Sequence, residues 1–247
     1  MELVRRHMAV SRTQAERMVA DGLVQVLGVP TPKPATLVAP DTPITLRDPG
    51  PHRVSRGALK LEGALEAFPV EIVGKRALDA GASTGGFTEV LLERGAQEVV
   101  ALDVGYGQLD MGLRQDPRVK VMERTNIRHV AVDEVGGPFP LIVADLSFIS
   151  LCTVAPKLED LALAGGDLIL LIKPQFEAGK GDVGRGGIVR DPEVRRRAVE
   201  KVLACLGRCG LGPRALVASP IPGAGGNREV FVWCRAGEEG SPLEVPP

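Results

Sequence analysis

Apolar positions gather into short runs that mostly end on a charged residue. Arg76-Ala-Leu-Asp79, Val99-Val-Ala-Leu-Asp103, Leu141-Ile-Val-Ala-Asp145 and Leu168-Ile-Leu-Leu-Ile-Lys173 read as strands, as does Val119-Lys-Val-Met122, which ends near Thr125-Asn126. Between the first two runs, Val90, Leu91 and Leu92 supply the apolar surface of a helix. From Arg190 to about Leu206, Val194, Ala198, Val199, Val202 and Leu203 recur at helical spacing. Ala215–Ala218 and Glu229–Trp233 predict two later strands. Nearly continuous apolar strands separated by helices imply a sheet covered on both faces. The expected fold is α/β, open and doubly wound. Such sheets collect ligands at the C-terminal strand edge. Asp79, Asp103, Asp145 and Lys173 all fall there.

The first 46 residues follow another pattern: helix, helix, then a small sheet. Leu3, Val4 and Met8 give one apolar face. Ser11 is placed as an N-cap with Gln14 at the capping-box position. Ala15, Met18 and Val19 form a stripe that ends near Gly22. Val24-Gln-Val26 alternates like a strand, with a turn at Gly28. Pro40, Pro43, Pro49 and Pro51 mark strand edges or a linker. The expected organisation is a small α+β domain at 1–46, a linker at 47–59, an α/β domain at 60–236 and a frayed tail at 237–247.

Charge changes this picture. The 247-residue chain has a net charge of -1, which by itself argues against a nucleic-acid partner. Residues 1–60, however, hold nine Lys/Arg against five acids, a net of +4, and the remainder carries -5. A basic head can steer an anionic polymer although the whole chain is neutral. Arg5, Arg6, Arg12, Arg17, Lys33 and Arg56 are its candidate contacts, though an ordinary solvated face would look the same. A second basic stretch, with Lys180, Arg185, Arg190 and Arg195–Arg197, follows Lys173 and begins in a glycine-rich loop. The four cysteines have no zinc-ligand spacing and read as free thiols, so no metal site is expected. The most apolar run has five consecutive residues, against about 20 for a membrane span. A soluble, cytoplasmic protein without a stable membrane partner is expected, and no motif sets an oligomeric state.

The loop Asp79-Ala-Gly-Ala-Ser-Thr-Gly-Gly86 is neither a Walker A sequence nor G-x-G-x-x-G. Asp79 stands just before the turn, where a carboxylate suits an amine-bearing cationic ligand better than a pyrophosphate. Asp103, at the next strand end, can accept bonds from ribose hydroxyls. Together they favour S-adenosylmethionine over a dinucleotide, the alternative being a structural turn. Lys60, Asp145, Lys173 and Glu229 form a second candidate set. A ribose 2′-hydroxyl needs help losing its proton, and a lysine held away from water near another cation can serve as base. The same four residues also fit a structural ion-pair network.

Ala9-Val-Ser-Arg-Thr-Gln-Ala-Glu-Arg-Met-Val-Ala-Asp-Gly-Leu-Val-Gln-Val26, continuing to Lys33-Pro34, resembles an S4 RNA-binding domain. The body resembles the FtsJ-type ribose 2′-O-methyltransferase domain, a Rossmann-like fold, and the whole chain is similar to the TlyA family, also called hemolysin A. The matching motifs are Val54-Ser-Arg-Gly-Ala-Leu-Lys60, Leu78-Asp-Ala-Gly-Ala-Ser-Thr-Gly-Gly-Phe87, Ala101-Leu-Asp-Val-Gly-Tyr-Gly-Gln108 and Glu123-Arg-Thr-Asn126. They continue with Ala144-Asp-Leu-Ser-Phe-Ile-Ser150, Ile172-Lys-Pro-Gln-Phe-Glu177 and Gly226-Asn-Arg-Glu-Val-Phe231. The resemblance implies methylation of cytidine 2′-hydroxyls in 16S and/or 23S ribosomal RNA, with that RNA as partner. It implies Lys173 as the central base, with Lys60, Asp145 and Glu229 positioning the ribose and tuning it. It places S-adenosylmethionine on Asp79, Gly81, Ser83, Thr84, Gly85, Gly86, Phe87, Asp103, Val104, Thr125 and Asn126, with Asp145 near the methyl donor. Competing readings are a small-molecule or base methyltransferase, a non-enzymatic RNA-binding assembly factor and, least favoured by the short apolar runs, a membrane-lytic protein.

Overall fold

The computed structural model describes residues 2–6, 8, 9, 15, 18, 19, 24–27, 29, 30, 37–39, 41–46, 53–179, 181–184 and 186–246. The chain divides into two compact units, Met1–Arg53 and Val54–Pro247.

In the first unit β1 (Val24–Val26) pairs antiparallel with β2 (Val29–Pro30) and β3 (Ile44–Leu46). Leu3, Ala9, Ala15, Val24 and Ile44 form its small core. The helix Glu2–Arg5 is tied down by Arg6, which donates to Glu2 Oε1 at 2.7 Å and to the Thr42 carbonyl at 2.8 Å. The expected cap at Ser11 with Gln14, the stop at Gly22, the turn at Gly28, Pro40, Pro49 and Pro51 lie outside the described residues, as do Arg12, Arg17, Lys33, Lys180 and Arg185.

The second unit is built on seven strands: β4 (Arg76–Ala80), β5 (Glu98–Leu102), β6 (Val119–Met122), β7 (Phe139–Ala144), β8 (Ala162–Ile172), β9 (Leu211–Ala218) and β10 (Val230–Ala236). Their order is β6-β5-β4-β7-β8-β10-β9. The first five run parallel, and β10 is antiparallel to both its neighbours. The order reverses between β4 and β7, which makes their C-terminal edge the switch point where such sheets bind ligands.

Alternate strand residues enter two cores. Leu168, Leu170 and Ile172 pack on one face with Val154 and Leu158 of helix Leu151–Leu161 and Val199 and Val202 of helix Pro192–Arg208. Ile169 and Leu171 pack on the other with Leu61 and Leu65 of helix Arg56–Ala67 and Val90 and Leu91 of helix Gly86–Glu93. Burial on both faces explains why these strands read as unbroken apolar runs rather than alternating ones.

Several boundaries differ from the sequence expectation. Helix Arg56–Ala67 begins inside the segment read as linker, because Ser55 Oγ caps it by accepting from Gly57 N at 3.2 Å. Strand β8 begins six residues before Leu168, and β9 four before Ala215, on glycine-containing stretches with weak apolar patterning. Helix Leu151–Leu161 contains Pro156, which leaves the Cys152 carbonyl without its helical donor. Cys205 Sγ lies 3.8 Å from that oxygen. All four cysteines are free, with Cys205 and Cys234 buried and Cys152 and Cys209 half-buried. The first residues of the segment expected to fray are bonded to the larger unit. Gly237 N donates to Gly210 O at 2.7 Å, Ser241 N to Pro213 O at 2.8 Å, and Glu238 pairs with Arg214 and Arg235. These are backbone bonds and ion pairs, which leave no apolar period to read. No helix among the described residues is long and apolar enough to cross a membrane.

Candidate active site

The parallel strands deliver Asp79, Asp103, Asp145 and Lys173 to one edge of the sheet because each stands at or just after a strand's C-terminal end. Glu229 reaches the same edge by the opposite route. It precedes β10, whose first residue Val230 pairs with Ile172, so the antiparallel direction sets Glu229 beside Lys173.

Two ion pairs occupy this edge. Lys173 Nζ lies 2.5 Å from Asp145 Oδ1 and donates to Ser147 Oγ at 2.9 Å. Lys60 Nζ donates to Glu229 Oε2 at 2.7 Å, while Gln175 Nε2 donates to Oε1 at 3.1 Å. Lys173 and Glu229 are 8% and 3% exposed, so breaking either pair would strand a charge almost without water. Gly223 is required here, since a Cβ would overlap the Glu229 carboxylate. The four residues expected to act together are therefore brought together in two pairs.

The supporting bonds come from residues that sequence reasoning did not single out. Glu177, inside the Lys-Pro-Gln-Phe-Glu motif, accepts from Ser150 Oγ at 2.5 Å and Leu151 N at 2.7 Å. It thereby ties the turn after β8 to the start of helix Leu151–Leu161, fixing the backbones that carry Lys173 and Asp145. Burial holds its carboxyl above the ordinary range, opposed by those bonds and by Lys201. Asn227 Oδ1 accepts from Val189 N at 3.0 Å, and Nδ2 donates to Gly187 O at 2.9 Å, so it clamps the glycine-rich loop before helix Pro192–Arg208. Asn227 and Gln175 lie in the quoted motifs, but an amide carries no visible chemistry until its partners are known.

Nearer β4, Asp79 is fully buried and accepts from Thr88 Oγ1 at 2.7 Å. Its other oxygen has no hydrogen-bond partner among the described residues. Burial pushes the Asp79 carboxyl up to about 7, the Thr88 bond opposing, with Asp145 and Asp103 adding repulsion. A cationic amine would satisfy the orphaned oxygen and restore the charge, which is the donor chemistry S-adenosylmethionine presents. The loop is stitched to β5 by Gly81 N and Ala82 N, both donating to Leu102 O at 2.8 and 3.1 Å. Gly81 has φ +87°, and a Cβ there would stand 2.6 Å from the Asp145 carbonyl oxygen. Asp103 is oriented by Ser83 N at 2.8 Å and Gly105 N at 2.6 Å, one to each oxygen. Carboxylate oxygens so engaged retain lone pairs for two hydroxyls. Residues and cofactor fit.

Other expected contacts sort differently. Ser83 is exposed and Thr84 half-buried, with Thr84 O accepting from Asp110 N at 3.1 Å. Gly85, at φ +100°, makes room for Leu113 and Leu109. Gly86 lets helix Gly86–Glu93 abut Ser55 and Ala58, where a Cβ would overlap Ser55 Oγ and stand 2.7 Å from Ala58 N. Phe87 is buried against Phe231, with ring centroids 6.0 Å apart. The structure thus gives Gly86 and Phe87 packing duties. Val104 is exposed, Thr125 N donates to Asp103 O at 2.9 Å, and exposed Asn126 uses Oδ1 to accept from Arg128 N. Of the basic residues, Arg5 and Arg6 are engaged by Glu2. Exposed Arg56 donates to Pro222 O at 3.2 Å, and Arg190 is exposed.

The FtsJ-like methyltransferase family matches residues 53–236. A Mycobacterium tuberculosis protein named 16S/23S rRNA (cytidine-2′-O)-methyltransferase TlyA is 54% identical over 235 residues, covering 95% of this chain and 88% of the relative. A Campylobacter jejuni protein named 23S rRNA (cytidine-2′-O)-methyltransferase TlyA is 39% identical over 181 residues, covering 73% and 70%. A solved structure from Streptococcus thermophilus, described only provisionally as a hemolysin, superposes with a TM-score of 0.78 at 38% identity, covering 97% of this chain and 88% of that one. A relative aligned along nearly the whole length, together with a family match across the sheet that carries both ion pairs, makes this chain a member of the FtsJ-like methyltransferases, in the TlyA family.

Proposed function

We propose that the chain transfers a methyl group from S-adenosylmethionine to a cytidine 2′-hydroxyl of ribosomal RNA, in the small subunit, the large subunit or both. The observation that carries this reading is the juxtaposition of Lys173–Asp145 and Lys60–Glu229 at the strand edge that also holds Asp79 and Asp103. The cofactor, when bound, supplies a methyl group already activated by its sulfonium. Asp79 would hold its amine, Asp103 its ribose hydroxyls, and the Gly81–Gly85 backbone would lie along it. Lys173 is placed to take the proton of the attacking hydroxyl, and Asp145 and Ser147 fix the nitrogen's position. Lys60, itself held by Glu229, orients the ribose, so that placement of oxygen, carbon and sulfur in line supplies much of the rate effect. Residues 1–46 are read as an S4-like module that holds the RNA, through Arg12, Arg17 and Lys33 together with Arg5 and Arg6. Arg56, Arg185 and Arg190 would add backbone contacts on the larger unit. Such a substrate places the enzyme in the cytoplasm.

Mapping ribose methylation on both ribosomal subunits, wild type beside Lys173→Ala, tests the reading. Methylation at a cytidine ribose by the wild type, reduced at least 100-fold in the variant, is the expected outcome. No transfer to either subunit by the folded wild type would reject it. A biological effect that survives Lys173→Ala intact would favour the assembly-factor alternative.

A further inference from the structure

A cavity of about 350 Å³ opens beside the lysine–carboxylate centre. Pro174, which follows Lys173, and Glu229 form the wall it shares with that centre. Val199, Pro220, Ile221 and Pro222 give it an apolar lining, and Arg195 and Arg228 bring two cations to it. Arg195 donates to the Arg190 carbonyl at 2.8 Å. Among the described residues, neither Arg195 nor Arg228 pairs with a carboxylate. This is an unusual lining for an edge otherwise dominated by Asp79, Asp103, Asp145 and Glu229.

Its place along the sheet narrows what it would hold. The strand order at this edge is β5-β4-β7-β8-β10-β9. Asp103 and the glycine loop lie over β5 and β4, the ion pairs over β7, β8 and the start of β10, and the cavity over β8, β10 and the end of β9. Neighbouring strands are about 4.8 Å apart, so donor site, reaction centre and cavity stand in a row, each about one or two strand spacings from the next. A polymer whose ribose reaches Lys173 is blocked on the donor side by the methyl donor itself. On the opposite side it meets the cavity. The volume lies near the lower end of ligand pockets, about 300–1,000 Å³, enough for one nucleotide and too small for a helix.

We infer that this cavity receives the nucleotide adjacent to the methylated one in the same RNA strand, its base against the proline and valine wall and its phosphate on Arg195 and Arg228. The assignment rests on the ribose-methyltransferase reading above. The pocket reads a base face rather than a base edge. Its hydroxyl, Ser219 Oγ, is already committed to Ile221 O at 2.8 Å. Stacking of this kind tolerates any base.

The test compares wild type with Arg195→Ala, Arg228→Ala and the double variant on undermethylated ribosomal subunits. Arg208→Ala serves as charge control, since it is exposed at the far end of the helix that carries Arg195, roughly 20 Å away at about 1.5 Å per residue. Each single variant is expected to raise KM for the subunit about fivefold with kcat unchanged, and to lower the salt-dependence slope of binding by about one. Affinity for S-adenosylmethionine stays at the wild-type value in all of them. Unchanged KM and slope, or changes no larger than those of Arg208→Ala, would overturn the assignment while leaving the ribose-methyltransferase reading intact. Absence of methylation by the wild type would instead remove that reading, and the assignment with it.

Discussion

Asp79 shows how far one side chain couples fold to ligand. Its carboxyl sits at about 7 against an ordinary value of 3.8, chiefly because it is buried. The folded state therefore keeps a proton that the unfolded chain releases near pH 4. Ligand-free stability from this group is full below about pH 4 and is lost as pH rises through about 7. Asp79→Asn should flatten that slope, so thermal melting of variant and wild type should diverge progressively between pH 4 and pH 8. A parallel pair of melting curves would refute the burial argument. The cofactor's amine prefers the ionised carboxylate, so wild-type affinity for S-adenosylmethionine should strengthen from pH 6 to pH 8 with proton release. Calorimetry in two buffers of different ionisation heat measures this directly. At the neighbouring pair, Glu229→Gln removes the charge facing Lys60 while keeping the shape. A fall in kcat of about tenfold or more, with cofactor affinity unchanged, is expected from loss of a positioned and buried ion pair. Asp79, Asp103, Asp145 and Lys173 were legible in sequence because each terminates an apolar run. Thr88, Ser147, Gln175 and Glu177 were not, because a hydroxyl, amide or carboxylate inside a helix or turn announces nothing until its partner, many residues away, is in place.

Among the elements, the helices that follow the glycine loop and precede β4 meet through Gly86. A Cβ at that position would overlap Ser55 Oγ, the cap of helix Arg56–Ala67. Gly86→Ala is therefore expected to disturb the helix that carries Lys60 and to cost about 1–3 kcal/mol by overpacking. If Gly86 served only as a cofactor contact, the same change would weaken donor binding without altering the melt, so chemical denaturation separates the two roles. Leu170→Ala, in the centre of β8, should cost about 2–5 kcal/mol, since the residue is fully buried. The strands were readable because burial on both faces makes them unbroken. Their ends were not: Gly165–Gly166 lie in the register shift between Ala162 and Asp167, and Gly212–Pro213 join the sheet by pairing with Arg235 and Cys234. The tail at 237–246 belongs with these. Glu238 and two carbonyls hold its first residues, and Val245 packs against the core.

For the whole molecule, the charge asymmetry survives at the structural boundary in weaker form: Met1–Arg53 holds seven Lys/Arg against five acids, a net of +2, and Val54–Pro247 carries -3, because Arg56 and Lys60 belong to the larger unit. The small unit and the large one have separate cores. Removing residues 1–53 should leave S-adenosylmethionine binding within about twofold and raise KM for ribosomal subunits by more than tenfold, an effect of losing the basic head. Equal KM values would deny the head its proposed part in RNA binding. The order of the sheet has a consequence in time. Strand β10 lies between β8 and β9, although it is made last, and it alone delivers Glu229 to Lys60 near the other end of the chain. During synthesis the N-terminal elements emerge and begin to fold first. The reaction centre therefore stays incomplete until β10 has been made and has entered its slot between β8 and β9, so the partners Lys60 and Glu229, 169 residues apart, meet late in folding.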